Sequence, residues 1–198
     1  IIDLEGINDE GLLFDDLESA NKTVKRFRDA EVDALFIPHC NFGTEDVISR
    51  VAKEIAKPVL LWGPRDEAPL ENGMRLRDTQ CGLFATGKVL RRFNVPFTYL
   101  TNCRIDDPIF ARGFTNFIGA ANVVRHFRSL RILQIGPRPA SFWTMICNEG
   151  ELLEKFGIEI HPITLEDIKR ETFKVEKAND PDLKEAIEYI KQHLDWSE

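Results

Sequence analysis

Residues 33–45 read DALFIPHCNFGTE, a short apolar run followed at once by a compact polar and aromatic loop. The run Ala34–Pro38 is apolar on both parities, which is typical of a parallel strand covered by helices on both faces. Beyond the loop, Thr44 is a suitable N-cap, and apolar residues recur every four positions from Val47 to Ile55. The stretch therefore predicts a strand, a loop and a helix in succession, the unit from which α/β proteins are built.

The same alternation continues along the chain of 198 residues. Each further apolar run is brief, and amphipathic segments of helical period separate the runs. Further strands are predicted at Ile1–Leu4, Pro58–Trp62, Pro96–Thr101, Arg131–Gly136 and Ile158–Pro162. This order predicts a doubly wound, mainly parallel sheet with helices on both faces, a three-layer α/β sandwich. We predict one domain over residues 1–178, followed by a C-terminal helix over residues 179–198.

The segment Asp107–Leu130 carries a stripe of aromatic side chains. Phe110, Phe114 and Phe117 are spaced by three or four residues, so they fall on one face of a helix. An aromatic ligand-binding box is the alternative, but covering a sheet is the commonest use of such a stripe. We therefore predict a core-facing helix here, and a charged terminal helix that begins near Asp180.

Composition excludes several classes of protein. Hydrophobic residues make up 43% of the chain and charged residues 30%, the balance of a folded, water-soluble domain. The 26 Lys and Arg against 33 Asp and Glu give a formal charge of -7, so duplex nucleic acid and anionic membrane surfaces are not expected as partners. No apolar run approaches the about 18 residues that cross a bilayer. The four cysteines show no CxxC spacing, and we expect reduced thiols in a cytoplasmic protein.

Motifs of the commonest catalytic sites are missing from the sequence. There is no GxGxxG, GxxxxGKS/T, GxSxG or HExxH pattern. The four histidines lie on four separate predicted elements, which does not favour a metal site. Cys40 and Cys81 lack a His and carboxylate arrangement that would make either a nucleophile. We therefore predict no catalytic residue, no bound cofactor and no metal ligand in this chain.

Candidate binding residues follow the predicted strands, because ligands of α/β sheets bind at the carboxyl ends of the strands. His39 heads the first of these loops, and it either contacts a ligand or holds the loop in place. Trp62 and Arg65 combine an aromatic platform with a guanidinium fork, a pair suited to hydroxyl-rich polar ligands. Arg65 alternatively pairs only with Asp66 or Glu67.

A further candidate lies where residues 77–82 open another predicted helix. Asp78 or Thr79 is expected as the N-cap, which leaves Gln80 in the first turn, free to face the same cleft. The residues alone thus predict a ligand-binding α/β domain with a polar cleft and an incomplete catalytic set.

Five stretches of the sequence together resemble one enzyme family. The stretches are residues 33–45, 58–67, 76–83, 131–139 and 148–153. They resemble the N-terminal domain of the L-fucose isomerase and L-arabinose isomerase superfamily, in its fucose-isomerase-like branch. The resemblance runs from Ile1 to Pro162 and implies a flavodoxin-like or Rossmann-like sandwich whose first strand and helix precede Ile1.

The resemblance also implies a function. Members of the family interconvert an aldose and a ketose with a divalent metal, usually manganese, held by later domains that this chain lacks. Their N-terminal domain lends residues to the active site of a neighbouring subunit in a homo-oligomer. The chain is then expected to be one part of a metal-dependent sugar ketol-isomerase, inactive by itself. The resemblance implies His39, Asn41, Phe42 and Gln80 as substrate-lining residues, to which the residue chemistry adds Trp62 and Arg65.

A stand-alone sensor or small-ligand-binding domain of flavodoxin-like fold is the alternative. The same loops would then bind an effector. The two hypotheses differ in the length expected of the native polypeptide. The sensor is expected to end near Glu198, whereas the isomerase is expected to continue for roughly two more domains.

Overall fold

A computed structural model describes residues 1–7, 16–128 and 130–194. The chain divides into two compact units, Ile1–Arg125 and His126–Glu198, and each is described by itself. The boundaries predicted at residues 1–178 and 179–198 stay a prediction.

The first unit alternates helices with three short strands. Its elements are α1 (Leu17–Asp29), β1 (Leu35–Pro38), α2 (Glu45–Ile55), β2 (Val59–Trp62), α3 (Thr79–Arg92), β3 (Phe97–Tyr99) and α4, which begins at Pro108 and continues to Phe127. The strands form a parallel sheet in the order β1-β2-β3, with Leu35 opposite Val59 and Val59 opposite Phe97. The strands predicted at Ala34–Pro38, Pro58–Trp62 and Pro96–Thr101 are confirmed.

Helices cover both faces of this sheet because alternate side chains of β2 point in opposite directions. Val59 and Leu61 belong to a core shared with α1, α2 and α3. Leu60 and Trp62 belong to a second core with Phe117 of α4, against which Phe110 and Phe114 also pack. The predicted core-facing aromatic stripe is confirmed, and so is the α/β fold with helices on both faces of a parallel sheet.

The predicted strand at Ile1–Leu4 is wrong. Residues 1–4 pair with no strand among the described residues, and the side chains of Ile1 and Ile2 are exposed. The backbone instead turns, with the Ile7 N–H donating to the Leu4 carbonyl. An apolar pattern alone does not make a strand, since a strand also needs a neighbour for its backbone groups.

The second unit contains a smaller parallel sheet. Its elements are β4 (Arg131–Ile135), a 3₁₀ turn (Trp143–Met145), α5 (Glu149–Phe156), β5 (Glu159–Ile163), α6 (Leu165–Ala178) and α7 (Pro181–His193). β4 and β5 pair in parallel, with Arg131 opposite Glu159. Asp180 caps α7, as predicted for the terminal helix. None of the helices in the described ranges is long and apolar enough to cross a membrane.

Candidate functional site

Three loops meet at the carboxyl end of the β1-β2-β3 sheet, because parallel strands all end at the same edge. We call residues 39–44, 63–78 and 101–107 the carboxyl-end loops. Backbone bonds join them: the Arg65 N–H donates to the Cys103 carbonyl at 3.2 Å. The Asn102 side-chain amide adds bonds of 3.0 and 2.9 Å to the carbonyls of Gly63 and Pro64. The second and third loops are therefore held together by main-chain and side-chain bonds.

His39 lies beneath the first loop and is only 3% exposed. Its Nδ1 is 3.0 Å from the Asn41 carbonyl oxygen, and its Nε2 is 2.7 Å from the Thr86 hydroxyl. A carbonyl oxygen can only accept, so Nδ1 donates, and a neutral imidazole then accepts the Thr86 proton at Nε2. Both ring nitrogens are thus used to hold the loop against α3. The predicted contact of His39 with a ligand stays a prediction.

Gly82 lets the first loop approach α3 closely. A Cβ atom at Gly82 would lie 2.1 Å from the Phe42 carbonyl oxygen and 2.8 Å from that of Asn41. Gly63 plays the same part in the second loop, where a Cβ would lie 2.8 Å from the His39 carbonyl oxygen. No side chain fits at either position without moving backbone, so these contacts fix the loops.

Asn41 joins the first loop to the start of α3. Its Oδ1 accepts from the backbone N–H of Phe42 at 2.8 Å and of Asp78 at 3.1 Å. The side chain is exposed, and its Nδ2 makes no hydrogen bond with any residue that the structure describes. Asn41 thus keeps two amide hydrogens that could be donated to a ligand.

Asp66 caps α3, although it lies 13 residues before the first residue of the helix. Asp78 stands at the predicted N-cap position without a side-chain cap bond, and the Asp66 carboxylate accepts from the Thr79 N–H at 3.2 and 3.0 Å instead. Burial opposes ionisation of Asp66, but bonds from Thr79 and the Gln80 N–H, with the charge of Arg77, hold its pKa below the ordinary value. Spacing could not reveal this cap, because 13 residues separate Asp66 from Thr79.

Arg65 has no partner among the described residues, since its acidic neighbours are occupied. Glu67 accepts two bonds from Arg77, at 2.9 and 2.6 Å. These bonds lower the pKa of Glu67 and raise that of Arg77. Arg65 is exposed, and its guanidinium pairs with no group in the described ranges. The alternative in which Arg65 pairs only with Asp66 or Glu67 is therefore wrong.

Trp62 ends β2 inside an aromatic cluster. Its ring centroid lies 4.6 Å from that of Phe110 and 6.0 Å from that of Phe36, and the residue is 4% exposed. The indole N–H is buried and finds no hydrogen-bond acceptor within the described part of the chain. Trp62 thus packs toward α4, and its predicted contact with a ligand stays a prediction.

Four of the six predicted residues present side chains to solvent. Phe42 is 53% exposed, and the side chains of Asn41, Arg65 and Gln80 are exposed as well. Two carboxamides, one aromatic ring and one guanidinium can bind hydroxyl groups, the apolar face of a sugar ring and an anionic substituent. Among residues 1–7, 16–128 and 130–194, no group of three or more His, Cys, Asp or Glu could hold a metal ion.

Comparisons with known proteins agree with a sugar-related family. The sequence-family model described as the N-terminal domain of fucose/sulfoquinovose isomerase matches residues 1–128. Sulfoquinovose isomerase from Priestia aryabhattai is 23% identical over 146 residues, 73% of this chain and 32% of that protein, and the one from Priestia megaterium matches to the same extent.

A third relative gives a similar result. Sulfoquinovose isomerase from Alkalicoccus urumqiensis is 26% identical over 136 residues, 68% of this chain and 30% of that protein. The chain therefore spans about a third of the length of these curated relatives. Since the family model covers well over half of the chain, the protein belongs to the fucose/sulfoquinovose isomerase family, with residues 1–128 as its N-terminal domain.

Proposed function

We propose that this chain is the N-terminal part of a sugar isomerase that interconverts an aldose and a ketose, and that its carboxyl-end loops line the sugar site. The observation that carries the proposal is the exposure of Asn41, Phe42 and Arg65 on loops fixed by backbone contacts. Gln80 is exposed in the first turn of α3, next to these loops. Such a surface is preorganised for binding, because little conformational freedom is lost when a ligand arrives. The family membership supports a sugar as that ligand.

Each exposed side chain has a distinct part in this proposal. The free Nδ2 of Asn41 and the Gln80 amide exchange hydrogen bonds with sugar hydroxyls. Phe42 covers the apolar face of the ring. Arg65, which is unpaired in the described structure, attracts an anionic substituent or donates hydrogen bonds to hydroxyl groups of the sugar. All four residues bind and orient the substrate, and none transfers a proton.

A divalent metal, with manganese as the family resemblance implies, would polarise the carbonyl and hydroxyl oxygens of the sugar. The described residues of this chain do not supply a ligand set for it. We therefore assign the metal, and the groups that move the proton, to other parts of the complete protein, meaning the whole polypeptide that contains these 198 residues. The relatives, about three times as long as the matched region, leave room for such parts.

The same proposal includes an oligomer in the cytoplasm. Loops that bind a substrate without a catalytic set must meet catalytic groups from elsewhere, either from the same polypeptide or from a neighbouring subunit. We favour a homo-oligomer in which the carboxyl-end loops reach a neighbouring subunit's site. Chemical crosslinking from a cysteine placed at Gln80 would identify the polypeptide that it faces.

The test compares kcat/KM of variants of the complete protein, with Mn²⁺ present, on L-fucose, L-arabinose and sulfoquinovose. Arg65→Ala should lower kcat/KM on the preferred sugar by about tenfold or more, the effect of one charge-assisted hydrogen bond. Gln80→Ala should lower it by about fivefold. Matched controls are Arg112→Ala, an exposed arginine of α4 that pairs with no described residue, and Lys88→Ala, an exposed residue of α3. If the controls lower kcat/KM as much as the test variants, the loops do not line the site.

The chain alone gives a second readout. The 198 residues, assayed with Mn²⁺ and the same three sugars, should show no turnover, since the catalytic groups are assigned elsewhere. Clear turnover by the isolated chain would contradict the proposal. Saturable sugar binding to a native polypeptide that never turns sugar over would favour the sensor alternative.

A further inference from the structure

A cavity in the first unit lies among the helices on one face of the sheet. It has a volume of about 490 Å³, within the range of roughly 300–1,000 Å³ typical of small-molecule sites. It shares no lining residue with the carboxyl-end loops. Helices α1 and α2 supply most of the lining, and Phe93 follows the end of α3.

The lining carries four cationic side chains and two carboxylates, an excess of two positive charges. Both carboxylates are already paired. Asp29 forms an ion pair with Lys25, one turn earlier on α1. Glu54 lies 2.7 Å from the Arg28 guanidinium, which also donates to the Glu54 carbonyl at 3.0 Å. The remaining cations, Arg50 and Lys53, therefore have no carboxylate of the cavity left to neutralise them.

These two cations differ in what they contact. The Lys53 ammonium lies 4.7 Å from the centroid of the Phe93 ring, a cation–π contact that leaves its positive charge uncompensated. Arg50 is exposed and forms no hydrogen bond or ion pair with any residue in the described ranges. Capping of α2 does not explain Arg50, because Arg28 is the residue that binds a carbonyl near the end of that helix. A planar guanidinium with five donors is therefore left free in the cavity wall.

Asn21 and four apolar residues form the rest of the wall. Ala20 and Val24 are 2% and 8% exposed, and the Phe93 ring and the Leu17 side chain add apolar surface. A cavity whose wall is partly apolar and carries two cations without a carboxylate partner is suited to a small organic anion. Arg50 and Lys53 are three residues apart on α2, so their side chains start from neighbouring positions on the helix surface. A guanidinium fork together with an ammonium matches the charge of a phosphoryl group, which carries about two charges near neutral pH.

We infer that the cavity between α1 and α2 binds a small organic phosphate, with its phosphoryl group on Arg50 and Lys53 and its apolar body against Val24 and Phe93. Free phosphate shares the charged part of this chemistry, and the probes below distinguish it from an organic phosphate. The inference is independent of the proposed sugar site, since the two surfaces have no residue in common.

The test measures binding of three probes to the full chain by isothermal titration calorimetry at constant ionic strength: phenyl phosphate, inorganic phosphate and phenol. Phenyl phosphate should bind saturably with one site per chain, and inorganic phosphate about tenfold or more weakly because it lacks the apolar body. Phenol should not bind measurably. Equal affinity for phenyl phosphate and inorganic phosphate would point to free phosphate as the ligand and overturn the organic part of the inference.

Three variants locate the bound probe. Arg50→Glu should weaken phenyl phosphate binding at least tenfold, and Arg50→Gln should weaken it by a smaller factor, because only the first introduces repulsion. Arg112→Glu, which makes the same charge change on α4, should leave the affinity unchanged, and equal melting temperatures verify the fold. If Arg50→Glu binds phenyl phosphate as well as the unmodified chain, the inference is wrong. If Arg65→Glu alone abolishes binding, the anion lies at the carboxyl-end loops and the inference is equally wrong.

Discussion

Strands β2 and β4 both contain apolar residues, but their surroundings are opposite. β2 reads VLLW and all four of its residues are buried, whereas β4 reads RILQI and four of its five residues are exposed. β2 lies between two strands, with helices packed on both faces, while β4 pairs with β5 in a sheet of two. The comparison shows that neighbouring strands and helices determine how much a strand contributes to stability.

The largest expected effect tests this contrast directly. Leu61→Ala removes a fully buried side chain of β2 and should lower the free energy of unfolding by about 2–5 kcal/mol. Leu133→Ala in β4, where the side chain is 58% exposed, should change it by about 0.5 kcal/mol or less. Urea denaturation of both variants measures the difference. Equal losses would mean that the two sheets are equally well covered.

A glycine pair extends the contrast to the site. Gly82→Ala places a Cβ 2.1 Å from the Phe42 carbonyl oxygen and should destabilise the first unit by about 1–3 kcal/mol. Gly119→Ala in α4 meets nothing within 4 Å and should stabilise the protein by about 0.5–1 kcal/mol. Thermal unfolding of the two variants measures both changes in stability. A neutral Gly82→Ala would show that the first loop is not held against α3.

The carboxylate cap of α3 predicts a smaller, pH-dependent effect. Asp66→Ala should cost about 1 kcal/mol at pH 7 through loss of the cap. Because the folded pKa of Asp66 is lowered, its contribution is fully present above the unfolded pKa and is lost as pH falls through the folded value. The difference between Asp66→Ala and the unmodified chain should therefore shrink in acid. Glu71→Ala, an exposed acid of the same loop, is the control, and an equal loss there would argue against the cap.

The smallest expected effect compares two helix starts. Thr164 and Asp167 form a reciprocal capping box at α6, so Thr164→Ala should cost about 0.5–1 kcal/mol of local stability. Thr44 stands at the N-cap of α2 without a side-chain bond, and Thr44→Ala should cost less. Amide hydrogen exchange in the first turn of each helix measures the effect. A larger loss of protection at α2 than at α6 would mean that Thr44 contributes more as a cap than Thr164.

The sequence predicted the parts of the fold that depend on local pattern. The strands of the first unit, the aromatic stripe of α4 and the start of α7 all follow from apolar periodicity and turn residues. Ile1–Leu4 fails because strand formation there depends on a neighbour that a local pattern cannot supply.

The sequence predicted where the site lies better than it predicted the contacts within it. The carboxyl ends of the strands followed from the α/β rule, and the six candidate residues came from that rule and the family resemblance. The burial of His39 could not be read from the sequence, because its partner Thr86 is 47 residues away. The Arg77 bonds to Glu67, across ten residues, could not be read from the sequence either. Because of them, Arg65 finds no acidic partner within the described ranges.

A structure of the complete protein with a bound aldose would show whether the carboxyl-end loops line the sugar site. We expect the sugar within hydrogen-bond distance, about 2.7–3.2 Å, of the Gln80 or Asn41 side chain, with Phe42 against the ring and Arg65 beside a polar substituent. A sugar bound in the same protein without contact to any of the carboxyl-end loops would contradict this expectation.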